Sequence, residues 1–80
     1  MNIVAAVRER ILELCKERNS TINKLATISG ITQSTLNNII SGRNNGATVS
    51  TVKKICDGLE ITIQEFFQSP LFLNLEQEIR

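Results

Sequence analysis

The feature that most constrains this chain is a spacing, Leu25-Ala26-x3-Gly30-Ile31-x4-Leu36-x2-Ile39. Two short helices that cross steeply over a tight turn need this arrangement. Ala26 falls where the two helices would approach most closely, so a larger side chain there would clash. Gly30 supplies a positive φ at the turn without a Cβ penalty. Ile31, Leu36 and Ile39 then hold the second helix from its inner side. Its outer side carries Thr32, Gln33, Ser34, Asn37, Asn38 and Ser41, a face that is polar, uncharged and rich in hydrogen-bonding groups.

The flanking segments keep the same helical period. Val4, Val7, Ile11, Leu14 and Cys15 recur at three- and four-residue steps and make one apolar stripe, with Arg8, Glu9, Glu13, Lys16 and Glu17 opposite. Asn19 is placed to end this first helix in the left-handed conformation. Thr21 is the N-cap expected for a second helix, Ile22–Ser29, with Leu25, Ala26 and Ile28 inward. Thr32 caps a third helix over Gln33–Ser41, and Gly42 stops it. Arg43-Asn44-Asn45-Gly46 reads as a turn. Thr48 caps a fourth helix, where Val49, Val52, Ile55 and Cys56 keep helical spacing and Gly58 is the expected stop. Thr62-Ile63-Gln64-Glu65 is a capping box, Ile61 and Phe66 form a hydrophobic staple around it, and Pro70 is expected to close the fifth helix.

No segment shows the period-two alternation of a half-buried strand, so the expected fold class is all-α, with five helices in one domain over residues 1–69. The tail over 70–80 holds Leu71, Phe72, Leu73, Leu75 and Ile79. It is too apolar for a free end, and is expected either to pack on the domain or to pair with a second copy. A chain of 80 residues buries only about 60% of its unfolded surface, so dimerisation would help it.

Bulk properties exclude more than they assign. No apolar run is long enough to cross a bilayer. The start, MNIVAAVRER, has no basic residue ahead of an apolar stretch, which reads against a secretory leader and makes the cytoplasm the expected compartment. Cys15 and Cys56 both fall on apolar faces and read as reduced core residues. With no His and no CxxC, a zinc site is not expected, nor any other metal or cofactor. The net charge of +1 is uninformative, but its distribution is not. From Arg18 to Lys54 there is no Asp or Glu, while Arg18, Lys24, Arg43, Lys53 and Lys54 are all cationic. A cationic segment flanked by acids is an electrostatic footprint for a polyanion.

From Thr21 to Gly42 the sequence TINKLATISGITQSTLNNIISG resembles the helix-turn-helix of the lambda-repressor-like, Cro/C1 or XRE, transcriptional regulators. Thr51 to Thr62 resembles that family's fourth helix and its entry into the fifth. The resemblance implies a five-helix lambda-repressor-like domain with its helix-turn-helix at about 21–41. It would bind operator DNA, usually as a two-fold homodimer. Carried over residue by residue, it implies base-edge contacts from Gln33, Ser34, Asn37 and Asn38, with Thr32 contributing at the helix start. It implies backbone contacts from Thr21 and Lys24, and phosphate contacts from Arg43 and Asn44. Two positions depart from the family pattern. Ile22 stands where several phage repressors carry a DNA-touching Gln, and Ser29 stands where an apolar residue is usual.

The chemistry of the outer face agrees. Gln and Asn bind adenine bidentately through N6 and N7, and Ser and Thr are permissive. The third helix has no Arg or Lys, the usual partners of guanine, so an A·T-rich half-site is expected. Lys24, Arg43, Lys53 and Lys54 are the expected sources of phosphate affinity, which gives position rather than sequence. The functional expectation is a sequence-specific transcriptional regulator, a repressor occluding a promoter, with no small-molecule ligand and no membrane. The alternative is a protein-interaction module on the same fold. An enzyme is not expected, since no convergent carboxylates or nucleophile lie in the segment that carries the motif.

Overall fold

The protein is described by a computed structural model over residues 1–43 and 46–79. The elements run α1 (Ile3–Glu17), α2 (Ile22–Ser29), α3 (Gln33–Ser41), α4 (Val49–Leu59) and α5 (Ile63–Phe67), followed by a 3-10 turn over Pro70–Phe72. There is no strand among the described residues, and no helix there is long and apolar enough to cross a membrane.

Local chemistry sets most boundaries. Each α-helix opens on a side chain that accepts a backbone N–H from its first turn, one of four such donors with no partner inside the helix. Asn2 accepts from Ala5 (2.8 Å), Thr21 from Lys24 (3.1 Å), Thr32 from Thr35 (3.0 Å), Thr48 from Thr51 (3.1 Å) and Thr62 from Glu65 (3.0 Å). Glu65 returns the bond to the Thr62 amide (3.0 Å), completing the expected capping box.

The first four helices stop alike. A left-handed residue follows each one, at Asn19 (φ 50°), Gly30 (φ 69°), Gly42 (φ 77°) and Glu60 (φ 58°). The next amide then returns to a carbonyl five residues back: Ser20 to Cys15 (2.9 Å), Ile31 to Ala26 (3.1 Å), Arg43 to Asn38 (3.1 Å) and Ile61 to Cys56 (2.9 Å). At Gly30 a Cβ would meet nothing within 4 Å, so the backbone angle alone favours glycine there.

The core contains Ile11, Leu14, Leu25, Ala26, Leu36, Ile39, Val52, Ile55, Leu59 and Phe66. Cys15 and Cys56 lie in it as free thiols, and burial pushes both above the ordinary cysteine value. Arg10 is buried as well, at 9% exposed. Its guanidinium donates to the carbonyls of Phe66 (2.6 Å) and Glu65 (2.8 Å) and pairs with Glu13. It therefore ties α1 to carbonyls near the end of α5. Helical periodicity alone gives Arg10 no such role.

Four expectations need correction. Gly58 does not stop α4, which continues to Leu59 and ends at Glu60. A Cβ on Gly58 would lie 2.7 Å from Ser29 Oγ and 2.9 Å from the Ile28 carbonyl oxygen, so this glycine permits α4 to close on α2. Ile28 and Val49 are exposed, at 46% and 78%, because α2 and α4 turn their inner stripes away from them. Pro70 does not end α5 directly: the helix stops at Phe67, and Pro70 opens the 3-10 turn.

That turn brings Phe72 edge-on to Phe67, with ring centroids 4.9 Å apart. Beyond it, the Glu76 amide donates to the Met1 carbonyl (3.1 Å), while Leu73 and Ile79 stay exposed.

Two predictions follow from these contacts. Gly58→Ala gains helix propensity worth about 1 kcal/mol, but the overpacking costs about 1–3 kcal/mol. Urea denaturation should show a net loss, and adding Ser29→Ala should not restore stability, because the Ile28 carbonyl still blocks the new methyl. The amide of Thr62, with its hydroxyl second, holds the Glu65 carboxyl below its ordinary 4.5. The stability it contributes is present above the unfolded value and is lost as pH falls through the lower folded value. Glu65→Ala should therefore be less stable than wild type near pH 7, and the gap between the two in thermal melts should close as pH falls below the ordinary glutamate range.

Candidate nucleic-acid interface

Three residues, Gly30 to Thr32, separate α2 from α3. Leu25 and Ala26 on α2 and Leu36 and Ile39 on α3 are all buried, which pins the inner sides of both helices. At about 100° per residue, Gln33, Asn37, Ser41, Ser34 and Asn38 then share an arc of about 140° on the other side of α3. Gln33, Ser34, Asn37 and Ser41 are exposed, and Asn38 is half-buried. The side chains of Gln33, Ser34, Asn37 and Asn38 make no hydrogen bond among the described residues, so their donors and acceptors are free for a partner.

Thr32 lies at the start of this face but differs from its neighbours. Its hydroxyl accepts the Thr35 amide (3.0 Å) and also bonds the Thr35 hydroxyl (2.8 Å). The side chain is already engaged in opening α3.

The first turns of α1 to α4 contain no acid, and Thr caps α2, α3 and α4. A neutral cap satisfies an N–H without cancelling the positive end of the helix dipole. Thr21 and Lys24 are exposed together at the start of α2, and Arg43 is exposed directly after α3. Asn44, expected beside Arg43, lies outside the described residues. Ile22 packs against the core, which leaves α2 without a polar side chain at that position.

The cationic segment divides once it is folded. Arg18 donates to the Leu59 carbonyl (2.8 Å) at the end of α4, so it serves the scaffold. Lys53 pairs with Asp57 one turn along α4, and that hydrogen bond raises its pKa. Lys53, expected to supply phosphate affinity, is thus paired on its own helix with an exposed carboxylate four residues later. Lys24, Arg43 and Lys54 remain exposed without an ion pair among the described residues.

Nothing in the periodicity singled out Arg8, yet the fold carries it to the other end of α3. Its Nη1 lies 3.3 Å from the position a Cβ on Gly42 would take. This placement is a tertiary fact with no local signal. Ser29 is the converse case. It is 7% exposed, and its hydroxyl has no hydrogen-bond partner among the described residues. Those residues also include no group of three or more His, Cys, Asp or Glu side chains placed to hold a metal.

Comparison with known proteins agrees with this geometry. Residues 10–69 match the Cro/C1-type HTH DNA-binding domain. The chain is 28% identical over 72 residues to the HTH-type transcriptional repressor RghR of Bacillus subtilis (strain 168), a match covering 90% of this chain and 53% of that protein. It thus spans about half the length of that curated relative. The crystal structure of the prophage Lp1 protein 11 is similar, with a TM-score of 0.81 and 36% identity, covering 94% of this chain and 100% of that one.

Thr32→Ala removes the cap of α3 and should cost about 1 kcal/mol in chemical denaturation, with Thr32→Ser retaining most of it. Equal stability of the Ala variant and wild type would show that the cap adds nothing.

Proposed function

The chain belongs to the Cro/C1-type helix-turn-helix DNA-binding domains, and from that premise we propose that it is a sequence-specific repressor of transcription that occludes a promoter. In this reading α3 lies in the major groove. The observation that carries it is the outer arc of α3, which is uncharged and on which the side chains of Gln33, Ser34, Asn37 and Asn38 make no hydrogen bond among the described residues.

Gln33, Asn37 and Asn38 read base edges, with adenine the partner that an amide meets bidentately through N6 and N7. Ser34 adds a permissive contact. Thr32 contributes through its methyl group, since its hydroxyl is held by Thr35. Thr21, Lys24, Arg43 and Asn44 contact the phosphate backbone and fix register. The acid-free first turns of α2 and α3 support an anionic partner on this side.

A homodimer belongs to the same reading. One short helix spans too few base pairs for useful specificity, whereas a two-fold dimer reads half-sites about 34 Å apart. Residues 1–69 form the DNA-binding unit in this reading. The packing of Phe72 and the bond from Glu76 to Met1 support a tail that folds back onto it. The protein acts in the cytoplasm, without catalysis and without a small-molecule effector.

Selection from a random duplex pool should return A·T-rich half-sites with two-fold symmetry. Asn37→Ala should then lose about 1–3 kcal/mol of discrimination at one position of the selected site, measured by competition binding. G·C-rich half-sites would contradict the assignment of the α3 amides. Absence of a gel shift at micromolar protein and low salt would favour an interaction module on the same fold.

A further inference from the structure

Three arginines reach helix C-terminal regions in this fold, and they are not used alike. Arg10 donates to the Glu65 and Phe66 carbonyls near the end of α5, and Arg18 donates to the Leu59 carbonyl at the end of α4. Arg8 reaches the end of α3, with Nη1 beside Gly42, but donates no hydrogen bond among the described residues. Its side chain is 32% exposed. The nearby carboxylate is that of Glu9, whose Oε1 is 3.9 Å from Nε, beyond hydrogen-bonding distance, and whose side chain is 43% exposed. A guanidinium carries five donors in a rigid fork suited to phosphate. Here the scaffold places that fork beside Gly42, with no hydrogen bond from it among the described residues, one residue from the exposed Arg43.

We infer that Arg8 is a further DNA-backbone contact, donating from α1 to a phosphate that flanks the C-terminal end of α3. Arg8 and Arg43 then bracket that end from two different elements. This rests on the reading that α3 enters the major groove. The contact deepens that reading by fixing the scaffold on the duplex independently of the α3 side chains. It carries position and no sequence information. Glu9 faces the same guanidinium and opposes the phosphate, but its carboxylate sits on the Nε edge and leaves the Nη atoms open.

The test is the salt dependence of duplex binding by the full chain, read by fluorescence anisotropy on one fixed duplex. Arg8→Gln should lower the slope of log Kobs against log salt by about 0.9, the value for one lost phosphate contact. It should weaken binding to selected and scrambled duplexes by the same factor. Lys16→Gln makes the same charge change on the acidic face of α1 and should leave the slope unchanged. Arg8→Lys should restore most of the slope. Two results would overturn the inference while leaving the proposed function intact: a wild-type slope in Arg8→Gln, or an equal drop in Lys16→Gln. If the wild type binds no duplex at all, the proposed function fails first and this contact fails with it.

Discussion

The close approach of α4 to the last turn of α2 is the contact on which the placement of α3 depends. Gly58 lies within α4 where any Cβ would press on Ser29 Oγ and the Ile28 carbonyl. Without that side chain, α4 closes on the two residues immediately before the Gly30 turn. The turn then has a fixed base, and Leu36 and Ile39 of α3 reach the core that Leu25 and Ala26 share with α4. One hydroxyl is left without a partner in this contact, that of Ser29. A buried unsatisfied group of this kind costs about 1–3 kcal/mol.

A second constraint works through charge. In a chain of net charge +1, cations cannot be counted as a binding surface until their partners are known. Arg10 and Arg18 tie α1 to the ends of α5 and α4, so two of the cations are structural. Lys53 is paired with Asp57 on its own helix. The positive character left around the helix-turn-helix comes from Lys24, Arg43, Arg8 and the neutral-capped helix N-termini. It is modest, and it surrounds an uncharged α3 rather than lying on it. In the proposed reading, affinity and sequence reading therefore fall to different groups.

The bounds of α2 and α3 were legible in the sequence because their signals are local. Thr21 and Thr32 cap within their own first turns, and Gly30 and Gly42 stop the chain by backbone angle. The outer face of α3 was legible for the same reason, since a period of 3.6 residues assigns its sides without tertiary knowledge. Most of what failed had tertiary causes, the exception being the Lys53–Asp57 pair, which is a four-residue spacing within α4. Gly58 looked like a stop, but it is a contact with α2. Val49 and Ile28 fit the apolar period and yet face outward, because the neighbouring helices do not extend over them. Arg18 and Lys53 looked like a polyanion footprint until their partners, the Leu59 carbonyl and Asp57, came into view. Arg8 is the opposite case, since no local signal in the sequence places its guanidinium beside Gly42.

The outer arc of α3 is the surface proposed to meet DNA. The most direct measurement is an amide chemical-shift titration of the isotope-labelled chain with an operator-length duplex at low salt. The largest shifts should map to Gln33, Ser34, Asn37 and Asn38, with a second set at Thr21, Lys24 and Arg43. Shifts concentrated instead on the exposed apolar residues Val49, Ile63 and Phe67, with α3 unmoved, would contradict it.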